Sequence, residues 1–150
     1  MRYVTCNNRK YRWPDRPVVV ICLDGSEPGY PLSDGGGYID RAIENGQMPY
    51  LASIKNRGLF RTADATIPSF TNPNNISIVT GTPPVIHGIS GNFFYDLGSD
   101  AEVMMNDPVF IRVGTIFKAF QDQGARIAII TAKDKLRRML GHELDFEQGS

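Results

Sequence analysis

Val18-Val19-Val20-Ile21-Cys22-Leu23 is an unbroken apolar run that stops at Asp24-Gly25. A β-branched run closed by turn residues is the sequence form of a strand buried on both faces, as in parallel sheets. Asp24 marks the point where charge must leave the core. A second run, Arg126-Ile127-Ala128-Ile129-Ile130-Thr131-Ala132, has the same character. Helical patterns lie between and after them. Ile39, Ala42 and Ile43 share a face over Tyr38 to Glu44, and Tyr50, Leu51 and Ile54 follow Pro49 up to Gly58. Asn72-Pro73-Asn74-Asn75 opens a helix that Gly81 ends. Val113, Ile116, Phe117 and Phe120 define an amphipathic helix over Arg112 to Gln123, and Asp134 to Leu140 is a short basic helix. Leu59 to Ile67 is expected to be a strand. Strand–helix alternation predicts an α/β fold, a largely parallel sheet flanked by helices.

Other regions read as loops. Residues 28–37 are loop by composition, and residues 82–108 form a long loop region with room for short strands. Residues 1–16 are polar and aperiodic and read as a surface arm. Residues 142–150 read as an aperiodic tail, which leaves 17–141 as the α/β portion.

Composition narrows the classes. The chain has 150 residues, Lys+Arg 16 against Asp+Glu 16, and 41% hydrophobic positions. That is enough apolar mass for one domain core. Zero net charge excludes nucleic-acid binding by bulk electrostatics. No segment approaches the roughly 18 apolar residues of a membrane span, and the polar N-terminus has no secretory apolar stretch. Cys6 and Cys22 make no disulfide scaffold, and Cys22 reads as a buried thiol; both point to a reducing, cytoplasmic setting. His87 and His142 are the only histidines.

Several positions carry chemical options. Asp24, at the carboxyl end of a strand, either binds a cation or caps a turn with Gly25. In Ser69-Phe70-Thr71-Asn72-Pro73-Asn74-Asn75 a hydroxyl at a helix N-terminus is either an N-cap or a nucleophile beside free backbone N–H groups. The second role needs a base or a metal to activate the alcohol. Asn92, in Gly91-Asn92-Phe93-Phe94-Tyr95, either donates its amide to an oxyanion or occupies a turn in left-handed conformation. Lys133 and Lys135, after the second run, either hold an anion or are solvated. His87 is a ligand or is bonded to backbone. No GxxxxGK[ST], GxGxxG, CxxC or HExxH pattern occurs.

The run ending at Asp24, the segment Pro68 to Asn75 and Ile78-Val79-Thr80-Gly81 together resemble the alkaline phosphatase superfamily, in its nucleotide pyrophosphatase/phosphodiesterase branch. Cys22-Leu23-Asp24-Gly25, His87-Gly88-Ile89, Gly91 to Tyr95 and Thr131-Ala132-Lys133-Asp134-Lys135-Leu136 look like the phosphonoacetate hydrolases of that branch. The resemblance runs from about Val18 to Gly141. It implies an alkaline-phosphatase-like fold and a two-zinc hydrolase that splits the C–P bond of phosphonoacetate into acetate and phosphate. On that resemblance Asp24 is a zinc ligand, and Thr71 is the nucleophile and touches the same zinc. Asn92 holds a phosphonate oxygen, and Lys133 and Lys135 select the carboxylate. It allows a homodimer. The family's remaining zinc ligands lie in a later part of a longer chain, so the sequence is expected to be an N-terminal portion, catalytically incomplete alone. Pro31 to Tyr38 looks like an insertion. The alternatives are a phosphodiesterase or nucleotide pyrophosphatase of the same branch, and a non-catalytic domain.

Overall fold

The computed structural model describes residues 1–26 and 37–148. The loop read over 28–37, apart from Gly37, and the insertion read over 31–38, apart from Gly37 and Tyr38, lie outside the described residues. In chain order the elements are β1 (Tyr3–Cys6), β2 (Arg9–Arg12), α1 (Tyr38–Glu44), α2 (Pro49–Arg57) and α3 (Thr71–Thr80). These are followed by α4 (Pro84–His87), β3 (Phe93–Asp96), β4 (Ala101–Met104), α5 (Ile116–Gln121) and α6 (Asp134–Leu140). The chain divides into two compact units, one of Met1–Val18 with Ala65–Ser150 and one of Val19–Asp64.

The larger unit is built around α3. Ile76 and Val79 on α3 meet Ile89, Met105, Ile111 and the buried face of α6, namely Leu136, Met139 and Leu140. Fully burying side chains of this size stabilises by about 1.5–3 kcal/mol each. Phe94, Phe110, Phe117 and Ile129 pack around this cluster. Gly81 ends α3 in left-handed conformation, φ 65°. A Cβ there would also lie 2.2 Å from the Tyr11 hydroxyl, so another residue would have to displace that tyrosine as well as strain the backbone.

Residues 3–12, read as part of an aperiodic arm, form an antiparallel hairpin with Cys6 opposite Arg9. Asn7 and Asn8 turn it at φ 48° and 61°, the backbone a two-residue hairpin loop demands. Val4 and Cys6 point inward while Tyr3 and Thr5 face out. Trp13 stacks on Phe120 at 5.5 Å between ring centroids, and the Arg2 guanidinium lies 3.9 Å from the Trp13 ring centroid. The hairpin is therefore docked on α5. Burial pushes the Cys6 thiol pKa up. Cys22, expected to be buried, is exposed.

The expected largely parallel sheet is not confirmed by the observed topology. Among the described residues there are two sheets, each of two antiparallel strands, β1–β2 and β3–β4. Residues 17–23, 59–66 and 125–131 join no ladder. Many of their apolar side chains are open to solvent, with Val19 at 78%, Leu59 at 81% and Ile130 at 97% exposure, while Ile129 rests against the core cluster. A β-branched run states what a strand would bury. Whether it becomes one depends on hydrogen-bonding neighbours that the run does not contain.

The helices follow local signals more closely. The amphipathic helix expected over 112–123 is shorter: Thr115 accepts a hydrogen bond from the Lys118 N–H at 3.0 Å and sets the start of α5. Gln121 clamps the tail by accepting from the Asp145 N–H at 2.9 Å and donating to the Asp145 carbonyl at 2.7 Å. In the smaller unit α1 and α2 pack together, with Lys55 bonded to Asp40 at 2.7 Å. No helix among the described residues is long and apolar enough to cross a membrane.

Candidate active site

Thr71 is the first residue of α3 and is half-buried. The N-cap is Phe70, whose side chain makes no capping bond, so Thr71 is not the N-cap. Pro73 has no N–H to satisfy, and it suits the first turn for that reason. The Asn72 N–H is satisfied from elsewhere in the chain: the Asn92 carboxamide oxygen accepts it at 3.3 Å. The Asn72 side chain in turn donates to the Met105 carbonyl at 2.8 Å. The Met105 N–H donates to the Asn92 carbonyl at 2.8 Å. Asn72, Asn92 and Met105 thus form a closed triangle joining the start of α3 to both ends of the β3–β4 hairpin.

Asn92 is not among the residues with positive φ, which sets aside its reading as a left-handed turn residue. Because its oxygen must face an N–H donor, the amide orientation is fixed by chemistry, and the NH₂ group takes the other direction.

The rest of the first turn is anchored by asparagines. Asn74 accepts from the Thr66 N–H at 2.8 Å and donates to the Phe70 carbonyl at 2.9 Å. Asn75 donates to the Thr71 carbonyl at 3.0 Å. The backbone around Thr71 is held at several points.

The two lysines lie at the start of α6. Lys133 is its N-cap residue, and its N–H donates to the Thr131 hydroxyl at 3.2 Å. The Lys135 ammonium donates to the Met104 sulfur at 2.8 Å, one residue from the triangle's Met105. Thioether sulfur is a weak acceptor, so this contact aims Lys135 without neutralising it. α6 also packs on α3. Thr71, Asn92 and Lys135 are thereby linked through direct bonds and adjacent residues of one unit.

Asp24 belongs to the other unit. It sits with Gly25 (φ 77°) in a turn closed by the Ser26 N–H donating to the Leu23 carbonyl at 3.3 Å. That is the turn geometry its neighbours predict.

His87 could be mistaken for a catalytic base. It is fully buried, with its Nε2 2.9 Å from the Ser77 hydroxyl oxygen. The Ile89 N–H, however, donates to its Nδ1 at 3.1 Å. Nδ1 is therefore the acceptor and Nε2 carries the proton, so His87 donates to Ser77 and cannot activate it. Burial pushes the His87 pKa below its ordinary value of 6.5, against backbone hydrogen bonds that favour the charged form. The reading of His87 as backbone-bonded holds.

Structural zinc takes four ligands, and catalytic zinc three protein ligands plus a water. Among the described residues no three His, Cys, Asp or Glu side chains group so as to hold a metal ion. The described donors do not by themselves fit a zinc site.

Reading the sequence singled out Thr71, Asn92 and Lys135 but missed Asn72 and Met105. Asn72 was legible only as part of a helix start. Its signal was the lack of any capping side chain at Phe70, which obliges some remote acceptor to take the Asn72 N–H.

Crystal structures of phosphonoacetate hydrolase from Sinorhizobium meliloti 1021, in complex with phosphonoformate and with phosphonoacetate, are 54% and 53% identical to the chain. Their TM-scores are 0.87 and 0.88, each over 97% of this chain and 33% of the solved one. The chain thus spans a third of the length of the hydrolase it matches. The likeness supports an alkaline-phosphatase-like fold, and members of that superfamily are typically metal-dependent. Ectonucleotide pyrophosphatase/phosphodiesterase family member 1 of Rattus norvegicus is 33% identical over 81 residues, 53% of this chain and 8% of that protein. Ectonucleotide pyrophosphatase/phosphodiesterase 2 of Saccharomyces cerevisiae is 33% identical over 98 residues, 60% of this chain and 17% of that protein. The family profile covers residues 18–139, and the chain belongs to the type I phosphodiesterase / nucleotide pyrophosphatase family.

Proposed function

We propose that this chain carries the nucleophile half of a phosphonoacetate hydrolase, with residues 17–141 as the N-terminal part of its catalytic domain. The observation that supports the reading most is the Asn72–Asn92 hydrogen bond, which joins the Thr71 helix start to an amide donor. The Thr71 oxygen attacks phosphorus and gives up its hydroxyl proton. The C–P bond breaks, its electron pair leaves with the carbon and is spread into the carboxylate as an enolate, and one proton, the equivalent of that released by Thr71, adds to the carbon to give acetate. Water then attacks phosphorus, the Thr71 O–P bond breaks, one water proton restores the Thr71 hydroxyl, and phosphate leaves. The Asn92 NH₂ donates to a phosphonate oxygen as negative charge builds there. Lys133 and Lys135 face the carboxylate, a second anionic group that a plain phosphatase has no need to recognise. Asp24 and Thr71 are the residues we assign to the metal, which in the complete site is zinc, two ions in number. Among the described residues no group of three His, Cys, Asp or Glu side chains completes such a site.

The test is a polypeptide joining this chain to the remaining two thirds of the Sinorhizobium meliloti enzyme. It should hydrolyse phosphonoacetate, and Thr71→Ala should abolish turnover. Turnover retained in that variant removes Thr71 from the role. Preferential cleavage of a phosphodiester by the same polypeptide would favour the nucleotide pyrophosphatase reading, which the relatives at 33% identity support.

A further inference from the structure

We propose that Asn72 is a positioning residue for the phosphonate-binding amide. The inference rests on the reading of Asn92 as that amide. A carboxamide has two faces of opposite chemistry, and a half-turn about its last bond exchanges donor for acceptor. An acceptor turned toward a phosphonate oxygen would repel it. The Asn72 N–H removes that alternative, because it can pair only with the Asn92 oxygen, 3.3 Å away. A backbone N–H cannot hold a target that drifts, and here the second half of the device enters. The Asn72 side chain is bonded to the Met105 carbonyl at 2.8 Å, and Met105 is itself bonded to the Asn92 carbonyl at 2.8 Å. Both ends of the β3–β4 hairpin, and so the base of the Asn92 side chain, are fixed relative to the first turn of α3. One residue thereby sets both the location of Asn92 and the way it faces.

Two measurements test this. In the isotopically labelled chain, scalar coupling across the hydrogen bond should connect the Asn72 N–H to the Asn92 side-chain carbonyl carbon. Asn72→Ala keeps the backbone N–H but loses the bond to the Met105 carbonyl, so it should weaken that coupling and increase the mobility of the Asn92 NH₂ group. In the joined polypeptide, Asn72→Ala should lower kcat for phosphonoacetate about ten-fold, part of the 10²–10³ lost when an oxyanion donor is removed outright. KM should change less than about two-fold, because the lysines still hold the carboxylate. Asn72→Ser is neutral, suits a helix start and is too short to reach the Met105 carbonyl; it should give the same split if Asn72→Ala does not fold. Absent coupling, or KM and kcat changing in parallel, overturns the positioning role alone. Unaltered turnover in Asn92→Ala overturns the reading of Asn92, and the positioning role with it, even where the coupling is present.

Discussion

Asn7 donates through its carboxamide to the Thr80 carbonyl at 2.8 Å and to the Gly114 carbonyl at 2.9 Å, so the turn of the N-terminal hairpin closes the far end of the helix that Thr71 begins. The last carbonyls of a helix have no partner within it. Asn7 supplies one from a residue held at φ 48°. Asn7→Ala loses both bonds and puts in the left-handed region a residue that lacks asparagine's tolerance of it, at a cost of about 2–3 kcal/mol. Asn7→Gly loses the bonds but suits the backbone, and should cost about 1 kcal/mol less. Urea denaturation of both variants checks the order; alanine as stable as glycine would show that the turn does not carry the strain.

His87 gives the chain an acid-sensitive core. Its folded pKa is depressed by burial, so below the ordinary value of 6.5 the unfolded chain takes up a proton that the folded chain refuses. By linkage, stability rises with pH through this window. The His87 contribution is intact above about pH 6.5 and is lost progressively as pH falls toward the folded pKa. Denaturation midpoints between pH 5 and 8 should show this slope, and His87→Gln should flatten it. A wild-type midpoint constant across that range contradicts the assignment of a neutral buried imidazole.

Asn92→Asp separates two functions of one side chain. A carboxylate still accepts from the Asn72 N–H, and its charge suits a helix N-terminus. The amide donor is gone, and a negative group faces the phosphonate. The variant should melt within about 1 kcal/mol of wild type while turnover in the joined polypeptide falls 10²-fold or more. Turnover near wild type would mean that no donor is needed there.

Lys133 and Lys135 should govern which substrate is chosen. A charge-assisted hydrogen bond contributes about 1.5–3 kcal/mol. Replacing both lysines with alanine should then raise KM for phosphonoacetate ten-fold or more. A phosphodiester lacking a carboxylate should be cleaved nearly as before. Equal losses on both substrates would assign the lysines to the phosphorus end.

Zinc titrated calorimetrically into the 150-residue chain is expected to bind weakly, since the described donors supply no group of three ligating side chains. Tight uptake of two equivalents would contradict the reading of this chain as the nucleophile half.

Much of the helical framework was legible because its signals are local. Pro49 with Gly58, Asn72 with Gly81 and Asp134 with Gly141 bracket α2, α3 and α6 to within a residue. A missed local signal concealed the hairpin: Tyr3-Val4-Thr5-Cys6 alternates, and Asn7-Asn8 is a pair that tolerates positive φ. At the site, Thr71 and Asn92 were visible as residue types beside a helix start and a glycine. What Asn92 faces was not visible.

The sequence by itself determined where α2, α3 and α6 start and stop, and which hydroxyl, amide and ammonium groups stand at their ends. Backbone propensity and capping act over three or four residues, so a short window contains the whole cause. Only the tertiary structure decided that the Asn72 N–H donates to the Asn92 side-chain oxygen twenty positions away, and that the runs at 17–23 and 125–131 join no ladder among the described residues. Both outcomes depend on groups that approach through space, and no local pattern encodes which partner arrives.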